Sequence, residues 1–306
     1  MSLTPTDYIW MDGEFVPWDE ANVHVLTHTL HYGMGVFEGI RCYDTENGPA
    51  IFRLEEHMER FQNSADLVEY DLPYSVDEMI DAAKETVRKN DQKECYIRPI
   101  AYYGYGKMGL NPEGAPEKVA IAVWPWGSYL GEEGLEKGVR VTITKWRRIH
   151  SKILPPHAKT VANYANSILA KRDALEKGYD EAILLNMDDD VAEGPGENLF
   201  IVEDGEIITP PLSSGVLGGI TRDSAIEIAK DKNIPLREED FEKEQLMKAD
   251  EAFFTGTAAE VTPIREIDGE QIGEGKRGEI TEKIQKTYFD AVRGKDKKYE
   301  KWLDYV

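Results

Sequence analysis

Strands that come in runs, broken by single helices, predict an α+β protein rather than a regular alternation of strand and helix. Two further features divide it in two. The chain has 306 residues, enough for one large or two medium domains, and the stretch Trp126 to Gly134 is glycine-rich and aperiodic between strand-like segments. The expected organisation is a small N-terminal α+β domain over residues 1–126, an interdomain loop over 127–137 and a large C-terminal α+β domain over 138–306.

The elements follow from local pattern. Tyr8 to Val16 reads as two short strands about an Asp12-Gly13 turn. Leu54, Met58, Phe61, Ala65 and Val68 recur at helical spacing, and Ser75 to Glu78 is a capping box that opens a second helix towards Asn90. Cys95 to Tyr103 and Val119 to Trp124 are β-branched or aromatic and predict strands. Beyond the loop come a strand from Val139 and an amphipathic helix over Ala162 to Lys177, closed by Gly178, with Lys171, Arg172 and Lys177 placed for its C-terminal end. Strands over Glu181 to Met187, Asn198 to Val202 and Glu251 to Thr255, and helices from about Thr221 and Glu279, complete the pattern.

Charge excludes whole classes of partner. With 36 Lys+Arg against 58 Asp+Glu, the net charge is −22, and a chain so acidic is ill suited to nucleic acid or anionic lipid, whose binding needs clustered cations. Its expected partners are small molecules and other proteins. At 41% hydrophobic residues the chain has material for a folded core. No apolar run approaches the roughly 20 residues that span a bilayer, and Met1 to Tyr8 lacks a basic-then-apolar signal pattern, so the expected location is the cytoplasm. Cys42 and Cys95 suit that compartment, and no paired CxxC units predict zinc.

Several residues could carry chemistry. Lys159 lies in Pro155 to Asn166, a window otherwise free of formal charge; a lysine drawn into an apolar pocket tends to the neutral amine that forms Schiff bases and removes protons, whereas a loop lysine stays solvated. Leu217-Gly-Gly-Ile-Thr-Arg precedes a helix, and Phe253-Phe-Thr-Gly-Thr-Ala-Ala-Glu puts hydroxyls and glycine after an apolar strand; both are candidate anion-binding turns. Neither matches a Walker or dinucleotide motif. Glu193 and Glu197 flank a Gly-Pro-Gly bend, where two carboxylates serve acid/base catalysis, a protonated ring nitrogen, a glycosidase pair or merely a solvated turn. His24, His28 and His31 would present a metal-binding face on a helix, but Val23 and Val25 alternate with His24 as in a strand, so no metal is expected.

A lysine, one or two anion-binding turns, a carboxylate for a ring nitrogen and nearby Tyr164 together fit pyridoxal 5′-phosphate. The segments His31-Tyr-Gly-Met-Gly-Val-Phe-Glu-Gly-Ile-Arg, Tyr96-Ile-Arg-Pro, Pro125-Trp-Gly-Ser-Tyr-Leu-Gly, Glu193-Gly-Pro-Gly-Glu-Asn-Leu-Phe, Leu217-Gly-Gly-Ile-Thr-Arg and Thr255-Gly-Thr-Ala-Ala-Glu resemble the branched-chain aminotransferases of class IV. The likeness runs from about Ile9 to Trp302-Leu-Asp. Tyr96-Ile-Arg-Pro and Gly256-Thr-Ala-Ala fit this group better than the D-amino acid aminotransferases and aminodeoxychorismate lyases that share the fold.

The resemblance implies a two-domain fold of the D-amino acid aminotransferase type and transamination of L-Leu, L-Ile and L-Val with 2-oxoglutarate. It implies that Lys159 holds the cofactor covalently and carries protons, that Glu193 pairs with the ring nitrogen and that Tyr164 bonds the ring hydroxyl. Arg60, the amides of Ile220 and Thr221 and the hydroxyl of Thr257 would grip the phosphate, with Glu197, Leu217, Gly219 and Gly256 completing the cofactor set. On the substrate side, Tyr96 with Thr257 and Ala258 would hold the α-carboxylate. Phe37, Trp126, Tyr129, Tyr164 and Ala259 would wall the side-chain pocket, Arg98 would meet a γ-carboxylate, and Arg41 and Met108 would complete the set. Tyr32 and the loop with Met108 resemble parts that reach a neighbouring subunit, which implies a homodimer or larger. The cations of such a site should be sheltered, with the acidic excess on the outer surface away from the cofactor.

Overall fold

The computed structural model describes residues 3–127 and 129–306. Met1 and Ser2, and Ser128 in the loop expected from the sequence, lie outside the described residues. The chain divides into two compact units, and the division is not linear: the first takes the chain up to Trp126 with Ala158–Ala162 and Ala291–Val306, the second takes Gly127–His157 and Asn163–Asp290. Two stretches of the expected C-terminal domain therefore belong with the first unit. Long-range backbone pairing places them there. Phe37 N–H donates to the Lys159 carbonyl (3.0 Å), Val161 N–H donates to the Gly35 carbonyl (2.9 Å), and Leu303–Tyr305 pairs as a strand with Ala50 to Phe52.

In the first unit the elements are β1 (Tyr8–Met11), β2 (Glu14–Pro17), α1 (His28–Tyr32), β3 (Gly35–Phe37), β4 (Ile40–Thr45), β5 (Gly48–Phe52), α2 (Leu54–Leu67), α3 (Val76–Lys89), β6 (Cys95–Tyr103) and β7 (Glu117–Trp124). An eight-stranded antiparallel sheet runs in the order Leu303–Tyr305, β5, β4, β6, β7, β1, β2, with β3 paired to β6. The β1–β2 turn has positive φ at Asp12 (51°) and Gly13 (94°), the left-handed geometry that an Asp-Gly pair tolerates. Helices α2 and α3 bury Met58, Phe61, Met79, Ala83 and Val87 in one core with Ile40, Ile97, Val119 and Ile121 of the sheet. Strands β3 and β5, short and opened by glycine, carry too weak a local pattern to be read from sequence.

The histidines do not form a metal-binding face. Only His28 and His31 lie on α1, and each ring meets the backbone: His28 Nε2 is 2.8 Å from the Gly109 carbonyl, His31 Nε2 is 2.9 Å from that of Val25, and His24 Nδ1 is 3.0 Å from Leu26 N. Among the described residues no helix is long and apolar enough to cross a membrane. Cys42 and Cys95 are buried free thiols, register partners on β4 and β6.

The second unit contains α4 (Glu132–Lys137), β8 (Val139–Arg147), α5 (Asn163–Glu176), β9 (Glu181–Leu185), β10 (Val191–Glu193), β11 (Asn198–Glu203), β12 (Glu206–Thr209), α6 (Ile220–Asp231), β13 (Leu236–Glu238), α7 (Lys243–Leu246), β14 (Glu251–Gly256), β15 (Glu260–Ile267) and β16 (Glu270–Gln271); α8 (Glu279–Val292) leads out of it. Part of the expected loop is thus helical. Strand pairings β9-β8-β15-β14-β11-β10 close on themselves through β10–β11, so six strands of this nine-stranded sheet form a closed ring. Its interior is apolar, with Val141, Ile183, Leu199, Ile201, Phe254 and Ile264 in one cluster.

Helix α5 is not amphipathic in the expected sense. It buries Asn163, Ser167, Ala170, Asp173 and Ala174 while Ile168, Leu169 and Leu175 are 58%, 39% and 56% exposed. Small residues explain the buried face: Ala170 and Ala174 pack against Ala182 and Leu184 of β9, and Asp173 accepts from Thr144 Oγ1 (2.9 Å) and Lys177 Nζ (2.8 Å). Lys171 leaves the helix end to pair with Glu181 (2.6 Å).

The capping box expected at α3 is formed in both directions, Glu78 N–H to Ser75 Oγ at 3.3 Å and Ser75 N–H to the Glu78 carboxylate at 2.8 Å. Ser75→Ala should lower stability by about 1 kcal/mol, read from the denaturant midpoint, and leave catalytic activity unchanged.

Candidate active site

Each unit assembles a cluster of functional groups. In the first unit Lys159 follows Ala158 in the segment that docks beside β3; its N–H donates to Ser64 Oγ of α2 (3.0 Å) and its Nζ lies 5.2 Å from the centre of the Phe37 ring. Arg60 on α2 is no surface residue, with its side chain 11% exposed. Its Nε and Nη2 donate to the two oxygens of Glu38 at 2.7 and 2.8 Å, and His57, one helical turn earlier, places Nδ1 2.8 Å from Glu38 Oε2. Burial alone would raise the proton affinity of the Glu38 carboxyl, but the charges of Arg60 and His57 and their hydrogen bonds hold it well below the usual carboxylate range. Burial drives His57 down, against the pull of Glu38. The outcome is a fixed Arg60 guanidinium.

The first unit also carries expected substrate residues. Tyr96 is buried among Trp124 and Trp126, with ring centres 5.2 and 4.5 Å away. Arg98 rests on aromatic faces, 4.9 Å from the Phe37 ring, 5.2 Å from Tyr96 and 5.9 Å from Trp124. Gly39 is required by this packing: a Cβ there would fall 1.9 Å from Tyr96 Oη. Arg41 is buried opposite Tyr96 in the β4–β6 register. Tyr32 and Met108 are 37% and 42% exposed, and Tyr32 Oη accepts from Gly109 N–H (3.2 Å).

The second cluster surrounds Glu193, the last residue of β10 and 5% exposed. Arg148 Nε lies 2.5 Å from its Oε1, while Asn198 Nδ2 and Leu217 N–H both donate to its Oε2 at 3.0 Å. Leu217 and Gly219 lead into α6, whose cap residue Gly219 supplies no side-chain hydrogen bond to the first turn. Thr257, Ala258 and the buried Ala259 form the turn from β14 to β15. Tyr164 is half-buried near the start of α5, and Tyr129 has Lys171 Nζ 5.2 Å from its ring centre.

Glu197 is a different kind of acid. Its Oε2 accepts Gly196 N–H (3.0 Å), and burial, then the neighbouring Glu181, push its carboxyl up to about 8, with Glu193 adding to this and Lys171 opposing it. Burial also raises Glu181 despite its pairing with Lys171. Beside the acidic excess expected at the outer surface there is a small interior set: Glu38, Glu181, Glu193 and Glu197 are all 5% exposed or less. Each buried cation needs a buried counter-charge, and removing one partner of such a pair is costly. Sequence reading missed Glu38, His57, Arg148, Asn198 and Trp124 in these roles. Glu38 and Asn198 stood inside quoted motifs, but nothing local marks an acid as the partner of an arginine 22 residues away.

Residues 35–267 match the family model for amino-transferase class IV. The chain belongs to the class IV aminotransferases. Over 307 residues it is 49% identical to the branched-chain-amino-acid aminotransferase of Pseudomonas aeruginosa, with 100% of both chains covered. The crystal structure of the Escherichia coli branched-chain amino acid aminotransferase matches with a TM-score of 0.96 at 45% identity, covering 98% of this chain and 99% of that one. The T.th. branched-chain amino acid aminotransferase complexed with N-(5′-phosphopyridoxyl)-L-glutamate matches with a TM-score of 0.94 at 46% identity, over 98% and 99%.

The class uses pyridoxal 5′-phosphate, and the donor set fits it. A lysine amine, a fixed guanidinium, a helix start without a side-chain cap and a carboxylate held by Arg148 are the groups that an aldehyde, a phosphate and a basic ring nitrogen require.

Glu197 generates a pH prediction. Its proton is held in the native state up to about 8 but lost near 4.5 in the unfolded chain, so between those values the native state binds more protons and stability falls as pH rises. The contribution is complete below the lower value and gone above the higher. Glu197→Gln should flatten the fall in melting temperature between about pH 5 and about pH 8, leaving the slope due to Glu181; an unchanged slope would show that Glu197 is ionised throughout.

Proposed function

We propose that the enzyme transfers the amino group between L-leucine, L-isoleucine or L-valine and 2-oxoglutarate, giving the branched-chain 2-oxo acids and L-glutamate. The cage around Arg98 carries this reading. An aliphatic side chain needs apolar walls and a γ-carboxylate needs a cation, and Arg98 laid on Phe37, Tyr96 and Trp124 offers both in one place. Its Nε has no hydrogen-bond partner among the described residues, and its Nη2 reaches only Tyr96 Oη, at 3.3 Å, among its polar partners. Cation–π contacts are worth about 0.5–2 kcal/mol, comparable to one charge-assisted hydrogen bond at about 1.5–3 kcal/mol. Turning towards a carboxylate is therefore cheap. The T.th. relative bound to a phosphopyridoxyl glutamate supports glutamate as one substrate here.

Pyridoxal 5′-phosphate, when bound, would supply a ring that withdraws the electron pair left at the substrate Cα. In this reading Glu193, paired with Arg148, holds a proton at the ring nitrogen, and Tyr164 donates to the ring hydroxyl oxygen. Arg60, the amides of Ile220 and Thr221 and the hydroxyl of Thr257 bind the phosphate, with Leu217, Gly219, Gly256 and Glu197 completing the surround. Lys159 carries the cofactor and moves the proton at the substrate Cα. Tyr96 and the amides of Thr257 and Ala258 hold the α-carboxylate, and Phe37, Trp126, Tyr129, Tyr164 and Ala259 exclude water from the side-chain pocket, with Arg41 behind Tyr96. Tyr32 and Met108, exposed in the single chain, complete the pocket of a second copy in a homodimer or larger assembly. Two buried free thiols suit the reducing cytoplasm.

A half-reaction panel tests the reading. The holoenzyme mixed with L-Leu, L-Ile, L-Val and L-Glu should convert to the pyridoxamine form, while D-Ala and D-Glu should not react. Fast D-amino acids with inert L-Leu would overturn it. Arg98→Met should slow the L-Glu half-reaction by roughly 30-fold or more, the cost of leaving a buried carboxylate without its partner, and spare that of L-Leu.

A further inference from the structure

We propose that Asn198 is a positioning residue that locks Glu193 to the turn running from Leu217 into α6, so that one amide sets the contact to the ring nitrogen and the seat of the phosphate together. The inference rests on the cofactor reading above.

Asn198 opens β11, with Glu193 as its register partner on β10 and Thr255 on β14. It is 5% exposed. Its Nδ2 donates to Glu193 Oε2 at 3.0 Å and to the Leu217 carbonyl at 2.8 Å. Both partners are acceptors, which fixes the orientation of the amide. Leu217 N–H returns to the same Glu193 oxygen at 3.0 Å, so the three residues form a closed ring of hydrogen bonds. Arg148 holds the other oxygen. Glu193 is thereby restrained at one oxygen by hydrogen bonds and at the other by the charge of Arg148.

The other end of the amide acts on the phosphate turn. A Cβ at Gly219 would fall 2.0 Å from Asn198 Oδ1. Gly219 has φ −71° and ψ 133°, backbone open to any residue, so this carbonyl oxygen, rather than backbone strain, makes the position glycine. The cofactor's covalent skeleton would limit the distance between ring nitrogen and phosphate to a narrow range, and the protein must hold its two anchors at a matching separation. Asn198 does so by touching both.

The test compares the parent, Asn198→Ala, Gly219→Ala and the double variant, each loaded with pyridoxal 5′-phosphate. Three quantities are read: the dissociation constant of the cofactor, the pH at which the visible spectrum of the holoenzyme titrates, and kcat and KM for L-leucine. Each single variant should weaken cofactor binding about tenfold or more, the usual effect of losing an outer-shell partner, shift the spectral titration, and lower kcat more than it raises KM. The double variant should be no worse than Asn198→Ala, because the new methyl enters the space the amide has left. Variants that melt lower but keep the parent's dissociation constant and spectral titration would reduce Asn198 to a structural role and overturn the proposal alone. A parent that takes up no cofactor would overturn the functional reading and this inference with it.

Discussion

A charge taken out of water has to be met by another charge or by hydrogen bonds, and in this enzyme that constraint orders both clusters of functional groups. Glu38, with no exposed surface, fixes Arg60 and engages His57; Glu193 is held by Arg148, Asn198 and Leu217 N–H. In each case the residue that would touch the cofactor is kept in place by a buried partner that would not. Single pairs exposed at the surface are worth little. Here burial makes each pairing obligatory, because losing either member leaves an uncompensated charge.

Space is controlled as tightly as charge. Gly39 and Gly219 both have neighbours where a Cβ would stand, Tyr96 Oη in one case and Asn198 Oδ1 in the other. A polar side chain fills the volume that each glycine leaves open. These two motif glycines are therefore spatial requirements imposed by partners distant in sequence, and at Gly219 the backbone itself asks for nothing unusual.

The net charge of −22 proves to be two populations of carboxylate. Most of the acidic excess lies at the surface, where it limits partners without shaping the reaction. A few acids are interior. Glu38 stays ionised beside Arg60 and Glu193 pairs with Arg148, whereas Glu197, buried near Glu181 and offset only in part by the Gly196 N–H and Lys171, keeps its proton to about 8. The same side-chain chemistry thus serves opposite purposes according to the neighbours burial assigns.

What the sequence by itself determined was local or repeated in a long motif. The Asp12-Gly13 turn and the Ser75 capping box depend on residues within four positions of each other, and they form as expected; the ordered motifs around Tyr32, Tyr96, Trp126, Glu193, Leu217 and Thr257 were enough for the family. Only the tertiary structure decided the rest. It returned Ala158–Ala162 and Ala291–Val306 to the first unit, closed six strands into a ring, and turned the polar face of α5 inward. It also drew Arg60 away from solvent through Glu38, leaving its side chain 11% exposed, and brought Arg148 and Asn198 to Glu193. The physical reason is common to all of these. Pairing between strands and between buried charges depends on which side chains meet in space, and no periodicity along the chain encodes a partner that lies tens of residues away.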